Sequence, residues 1–305
     1  MRTKSRFALA ALAAALVMAP AAGAQVIRRQ GPPPEPYRSF ELPSGSTEVP
    51  MMGEGSVVLE VRINGQGPYR FALDTGAGGA GRISLELARK LGLKPAGEVI
   101  TGDPSGKNTR SLQLVEMDTL TLGGAAFKGV RLMARDLPQP PGGQEAELDG
   151  VLGIGLFKNH LLTLDYPARK VRIEAGELPP VDGREIVAFR MPNGVPAIKM
   201  KIGGLELDTD VDSGNMRGEV TLPASYIGKV PLEKEPVVVG HGRTGFNEFE
   251  IKQAPLKGAV QIGSRIVENP RVDFVEIFPV ANVGHAFLRR FVVTIDQKNL
   301  RMRFR

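Results

Sequence analysis

Along residues 56–305 short runs alternate apolar and polar positions and are cut by Gly, Asn, Asp and Pro, which predicts strands joined by tight turns. Val57-Val58-Leu59-Glu60-Val61-Arg62-Ile63 reads as a strand, Asn64-Gly65-Gln66-Gly67 as a turn, and Tyr69-Arg70-Phe71-Ala72-Leu73 as the returning strand that runs into Asp74-Thr75-Gly76-Ala77. A second hairpin follows the same plan: Ala197-Ile198-Lys199-Met200-Lys201-Ile202, then Gly203-Gly204, then Leu205-Glu206-Leu207 leading to Val211-Asp212-Ser213-Gly214-Asn215. Both hairpins end in Asp-Thr/Ser-Gly.

The correspondence continues downstream. Residues 83–93 have a helical apolar pattern, with residues 222–230 as a shorter counterpart. Gly-rich hairpins come next, around Gly102 and Gly106 in one half and around Gly240 and Gly242 in the other. Leu120-Thr121-Leu122-Gly123 corresponds to Val260-Gln261-Ile262-Gly263. Val151-Leu152-Gly153 with Thr163-Leu164-Asp165 corresponds to Asn282-Val283-Gly284 with Thr294-Ile295-Asp296. Five matched elements in one order predict a duplicated β-rich unit. The expected organisation is all-β with short helices: an N-terminal lobe at 51–178 and a C-terminal lobe at 179–305, joined through Pro179-Pro180 and Asp182-Gly183.

The N-terminus departs from this pattern. Met1-Arg2-Thr3-Lys4-Ser5-Arg6 is basic, residues 7–20 form an apolar run, and Ala22-Gly23-Ala24 is an A-x-A site, so residues 1–24 read as a secretory signal peptide. The apolar run falls short of the roughly 20 residues a membrane span needs, and no insertion is expected after cleavage. Residues 25–50 are Pro-rich and read as an extended lead-in, with order expected from about Ser56. Cleavage would remove three cations and no acid, taking the formal charge from +6 to +3. Arg301, Arg303 and Arg305 alternate with apolar residues as on a half-buried strand, which argues against a nucleic-acid patch. The absence of Cys excludes thiol nucleophiles and thiolate metal sites, leaving chemistry to Asp, Glu, Ser and three His.

On Leu73-Asp74-Thr75-Gly76-Ala77, Val211-Asp212-Ser213-Gly214-Asn215 and the apolar-apolar-Gly segments, the chain resembles the aspartic proteases. The likeness is nearest to bacterial exported proteins with two retropepsin-like repeats. Asp149-Gly150-Val151-Leu152-Gly153 makes the first half the more specific match. The resemblance implies a two-lobed aspartic protease fold of duplicated retropepsin-like β-barrels, with Asp74 and Asp212 as the catalytic pair. Such a pair shares one proton, so one carboxylate accepts a proton from water while the other acid polarises the scissile carbonyl. It further implies that Thr75 and Ser213 tie the loops by hydroxyl hydrogen bonds, and that Gly76 and Gly214 let the backbone turn. Gly102 and Gly106, or Gly240 and Gly242, would lie in flaps over an extended peptide. No cofactor is implied, and the expected partner is a peptide or unfolded protein segment.

The second half departs from the family at three places, the mildest being Ser213, which replaces Thr and keeps the hydroxyl. Asn215 stands where Ser, Thr or Ala is usual, and Asp210, two residues before Asp212, shares its side of the strand. A third carboxylate there is expected to move the pair's working pH upward or to mark a half that has lost catalysis.

Rival motifs fit less well. Asp208, Asp210, Asp212 and Glu219 imitate a calcium loop, but the Gly is displaced and a strand precedes it, which leaves only a non-EF calcium site on Asp208 and Asp210. The 102–108 segment lacks phosphate-loop spacing, and Gly150-Val151-Leu152-Gly153-Ile154-Gly155 lacks dinucleotide spacing. His160, His241 and His285 form no zincin motif, and G-x-S-x-G is absent.

The expectation is an aspartic-type endopeptidase, periplasmic or secreted, monomeric through intramolecular pairing of its lobes. The alternatives are a catalytically silent peptide-binding protein of the cell envelope, and pairing of first halves between two chains.

Overall fold

A computed structural model describes residues 35–53, 55–102, 109–137, 147–216, 218–243 and 248–305, and Glu35–Arg305 form one compact unit. The expected signal peptide lies outside the described residues. The all-β expectation holds: the described chain is built of strands, with α-helix only at Leu85–Lys90 and His285–Leu288.

The two Asp-Thr/Ser-Gly hairpins form as the alternation requires. Val58–Ile63 and Ala197–Ile202 share one burial pattern, in which Glu60, Arg62, Lys199 and Lys201 face solvent while Leu59, Val61, Ile63, Ile198, Met200 and Ile202 are buried. Each pairs antiparallel with the strand that carries an aspartate at its end, Gln66–Asp74 or Leu205–Asp212. Each aspartate strand then pairs in parallel with an apolar-Gly strand, so that Asp74 lies opposite Gly153 and Asp212 opposite Gly284. Gly81–Ser84 and Val220–Pro223 cross these same strands antiparallel.

In the first half the ring closes. Ala125–Arg135 pairs with both Gly81–Ser84 and Thr109–Leu122, and the latter pairs with Val58–Ile63, giving a six-stranded barrel around Phe71, Leu73, Ile83, Phe127 and Leu152. Fully burying a side chain such as Phe71 contributes about 1.5–3 kcal/mol. In the second half the long strand of the first is broken in two, Glu248–Pro255 and Ala259–Ile262, around the same kind of core: Val211, Leu222, Phe274, Val283 and Phe287.

Between the halves runs a continuous sheet in the order Ser46–Pro50, Lys170–Glu174, Leu161–Asp165, Val292–Asp296, Arg301–Phe304, Ile186–Arg190. At its centre Thr163 lies opposite Thr294, and their buried hydroxyls are 3.0 Å apart. Arg301–Phe304 is a half-buried strand, as its alternation predicts.

Three local expectations change. Residues 39–50, read as a lead-in, contribute Ser39–Glu41 against Ala125–Arg135 and Ser46–Pro50 against Lys170–Glu174, so order precedes Ser56. Both pairings bring together residues distant in sequence, and their backbone bonds override the Pro-rich composition beside them. The helix expected over residues 83–93 is confined to Leu85–Lys90, because Ile83 belongs to a sheet strand; Ser84 caps the helix by accepting from Leu87 N–H at 3.1 Å. Its counterpart at 222–230 is a strand ending at Pro223 followed by the 3-10 turn Ala224–Tyr226.

Candidate active site

The aspartate loops meet through four buried hydrogen bonds. Thr75 N–H donates to Ser213 Oγ at 3.0 Å and Ser213 N–H to Thr75 Oγ1 at 2.9 Å. The same hydroxyls donate onward, Thr75 Oγ1 to Val211 O at 2.6 Å and Ser213 Oγ to Leu73 O at 2.8 Å. Each hydroxyl is thus donor and acceptor at once, and no polar group of this crossed lattice is left unpaired.

The grip brings each carboxylate against the glycine of the other loop. A Cβ added at Gly76 would lie 2.5 Å from Asp212 Cγ, and one at Gly214 would lie 2.4 Å from Asp74 Cγ. Both glycines are required for space. The tight turn expected of them is not the reason, since neither has a positive φ.

The two carboxylates have different surroundings. Asp212 accepts from Gly214 N–H at 2.9 Å and Asn215 N–H at 3.1 Å through Oδ1, and from Asn282 Nδ2 at 2.9 Å through Oδ2. Burial first, and then the charge and contact of Asp74, push its carboxyl up to about 7, against the pull of the Asn282 and Gly214 donors. Asp74 Oδ2 instead accepts from the Arg82 guanidinium at 3.1 Å, and Asp74 Oδ1 is buried with no partner among the described residues. The phenol of buried Tyr166 is pushed upward by burial and by the charge of Asp212.

Asn215, an apparent departure, is a strut. Its Nδ2 donates to Asn282 Oδ1 at 3.0 Å and to Thr221 Oγ1 at 3.1 Å, and its Oδ1 accepts from Gly218 N–H at 3.1 Å. The Asn215–Asn282 bond fixes the amide of Asn282 so that its Nδ2 faces Asp212. His285 enters the same network through its backbone, donating N–H to Asn215 O at 2.8 Å.

Asp210 does not act on the pair as expected. Its carboxyl is raised to about 6 by burial and by Asp208, and the charge raising Asp212 comes from Asp74. Asp208 is engaged by Arg190 at 2.6 Å and Lys199 at 3.1 Å, while Glu219 is engaged by Arg290 and by Arg271 N–H. Asp208 and Glu219, two of the carboxylates that imitate a calcium loop, are therefore committed to cations and, for Glu219, a backbone donor. His160 stacks on Phe40 at 3.8 Å between ring centroids, and burial pushes it and His285 down.

The Gly-rich segments form the hairpins Lys94–Gly102 with Thr109–Leu122 and Val237–Arg243 with Glu248–Pro255. Gly102 closes its strand opposite Thr109, whereas Gly106 lies outside the described residues. Gly240 sits at a register shift, and Gly242 lies opposite Phe249, whose ring would be 2.3 Å from a Cβ there.

Sequence reasoning missed Arg82 and Asn282. They occupy opposite members of equivalent cross-strand pairs: Arg82 lies opposite Val151 in the first half, and Thr221 opposite Asn282 in the second. The one available signal is the comparison of Val151-Leu152-Gly153 with Asn282-Val283-Gly284, where a polar residue replaces an apolar one at a buried position.

Residues 59–156 match the protein-family model described as Aspartyl protease. No curated protein matches the chain. The matched stretch contains Asp74-Thr75-Gly76 and reaches past Gly153, the two segments whose parallel pairing builds the first loop. Taken with the strand topology, it identifies the all-β architecture as the aspartic protease fold.

Proposed function

We propose that the protein is an aspartic-type endopeptidase of two retropepsin-like repeats, cleaving extended peptide or unfolded protein segments with Asp74 and Asp212 as its catalytic pair. The observation that carries this reading is the reciprocal packing of the loops, which sets each carboxylate on the glycine of the opposite loop. Two half-buried carboxylates in contact do not both ionise readily, so the pair holds one proton and offers a base and an acid together. A water between them loses a proton to the carboxylate as its oxygen bonds to the carbonyl carbon, and the acid gives its proton to the carbonyl oxygen. Proton return to the amide nitrogen then accompanies C–N cleavage, releasing a carboxylic acid and an amine. These two aspartates carry out the whole cycle without a cofactor.

The apolar leader at residues 1–24 supports export to the periplasm or medium, and the presence of both loops in one chain supports a monomer. The test is cleavage of an unbiased peptide mixture from acidic to neutral pH beside Asp74→Asn and Asp212→Asn. Loss of cleavage in both variants is the expected result. Loss in Asp74→Asn alone would overturn the two-Asp assignment in favour of pairing between chains, and no cleavage at any pH would leave the peptide-binding alternative.

A further inference from the structure

We infer that Arg82 is a positioning residue that breaks the symmetry of the aspartate pair, holding Asp74 as the ionised base and leaving the shared proton on Asp212 as the acid. The inference rests on the endopeptidase reading and deepens it.

Arg82 projects from Gly81–Ser84, the strand that crosses the apolar-Gly strand behind Asp74, and its guanidinium reaches Asp74 Oδ2 at 3.1 Å. The equivalent site in the other half is Thr221, a neutral hydroxyl that accepts from Asn215 rather than contacting the carboxylate. One aspartate therefore has a permanent cation on its outer oxygen, while the other has only amide donors. A charged donor is roughly twice as effective as a neutral one, and it favours the anion of the group it touches. The unpartnered Oδ1 of Asp74 gives the second half of the argument: a proton on Asp212 needs an acceptor across the pair, and this buried oxygen has no other donor among the described residues.

The remaining charged and titratable groups around the pair do not reverse this bias. Tyr166 feels the charge of Asp212 and is a neutral phenol in the acidic to neutral range, its proton held by burial. Arg135, from the parallel neighbouring strand Ala125–Arg135, feels Arg82 as a like charge and adds positive potential on the Asp74 side. Asp210 is coupled to Asp208. The high proton affinity of buried Asp212 agrees with the assignment.

The test is a carboxyl carbon NMR titration of the protein labelled at Asp, in wild type, Arg82→Lys, Arg82→Met and Arg82→Gln, with Asp74→Asn and Asp212→Asn to assign the resonances. Cleavage pH profiles are recorded alongside. Between the two apparent pKa values of the pair the wild type is expected to carry its single proton on Asp212. A neighbouring Arg shifts a carboxylate by about 1–3 units, and the Arg82 side chain is 28 % exposed, so the low end of that range applies. The lower apparent pKa of the pair should rise by about one unit in Arg82→Met and Arg82→Gln. In Arg82→Lys, which keeps the charge, it should stay within about 0.3 units. The acid limb of kcat/KM should move with it. Titration curves that coincide in wild type and the neutral variants, or a wild-type proton on Asp74, would overturn the inference, as would a loss of activity uniform across pH. Absence of cleavage together with the expected titration would sink the endopeptidase reading and leave the Arg82 assignment standing. Cleavage with an unchanged titration would do the reverse.

Discussion

Replacing Thr75 by Val keeps its shape and removes only the hydroxyl, which makes it the cleanest probe of the crossed lattice between the loops. In the native protein that hydroxyl donates to Val211 O at 2.6 Å and accepts from Ser213 N–H at 2.9 Å, and Thr75 is 1 % exposed. The variant therefore takes the Thr75 hydroxyl away from one buried carbonyl, Val211 O, and one buried amide, Ser213 N–H. Each such group costs about 1–3 kcal/mol, giving about 2–6 kcal/mol in total. With a urea m-value of about 3 kcal/mol/M, the unfolding midpoint should fall by about 0.7–2 M. Thr75→Ser keeps both bonds and loses one methyl group, so it should cost about 1 kcal/mol. The assay is urea unfolding followed by far-UV circular dichroism, with peptide cleavage measured in parallel. Because the lattice also sets the spacing of Asp74 and Asp212, kcat should fall by about 100-fold in Thr75→Val. A midpoint within about 0.2 M of wild type would refute the claim that this hydroxyl stabilises the junction.

Two further outcomes follow from burial and pairing. Asp210 has its folded-state carboxyl raised to about 6, above the value of about 3.9 expected when unfolded. Charging the unfolded chain thus removes stability as pH rises from about 4 to about 6; Asp210→Asn should match wild type near pH 4 and exceed it by about 1 kcal/mol at pH 7, after discounting for partial exposure. Thermal unfolding at both pH values checks this, and equal differences at the two would refute it. At the centre of the sheet between the halves, Thr163→Val or Thr294→Val alone should cost about 1–2 kcal/mol by stranding the other hydroxyl, whereas the double variant should cost less than either single one. Additive losses in this cycle would show that the hydroxyls find other partners.

What could be read from the sequence was what local chemistry decides. Alternation in Val57–Ile63 and Ala197–Ile202, turn residues at Asn64-Gly65 and Gly203-Gly204, and the two Asp-Thr/Ser-Gly loops all specify themselves within a few residues. The parts that were missed depend on which strand becomes a neighbour. Nothing adjacent to Arg82 marks it as a partner of Asp74, because that contact exists only once Gly81–Ser84 has crossed Gly150–Gly153 in one register. Asn282 likewise reaches Asp212 through the parallel pairing of Leu205–Asp212 with Ala281–Gly284. Ser46–Pro50 became a strand because Lys170–Glu174 offers it a ladder. Residues 83–93 misled because Ile83 fits a helical spacing with Leu87 while belonging to a strand. Asn215 reads as a departure from the family pattern because its amide's partner, Asn282, is far along the chain.

The sheet between the halves also sets a schedule. Its central pairing joins Leu161–Asp165 to Val292–Asp296, and Arg301–Phe304 must be in place before Ile186–Arg190 has a neighbour on that side. A ribosome delivers residues vectorially at about 5–20 per second, so the first barrel emerges well before the strands that will seat it against the second. Contacts of such long sequence separation form late and slowly. A nascent or truncated chain that stops short of residue 292 carries Asp74 and Asp212 but lacks the strand that clamps its halves together. Synthesis order thus withholds the seating of the half that carries Asp74 against the half that carries Asp212 until translation has reached the last strands.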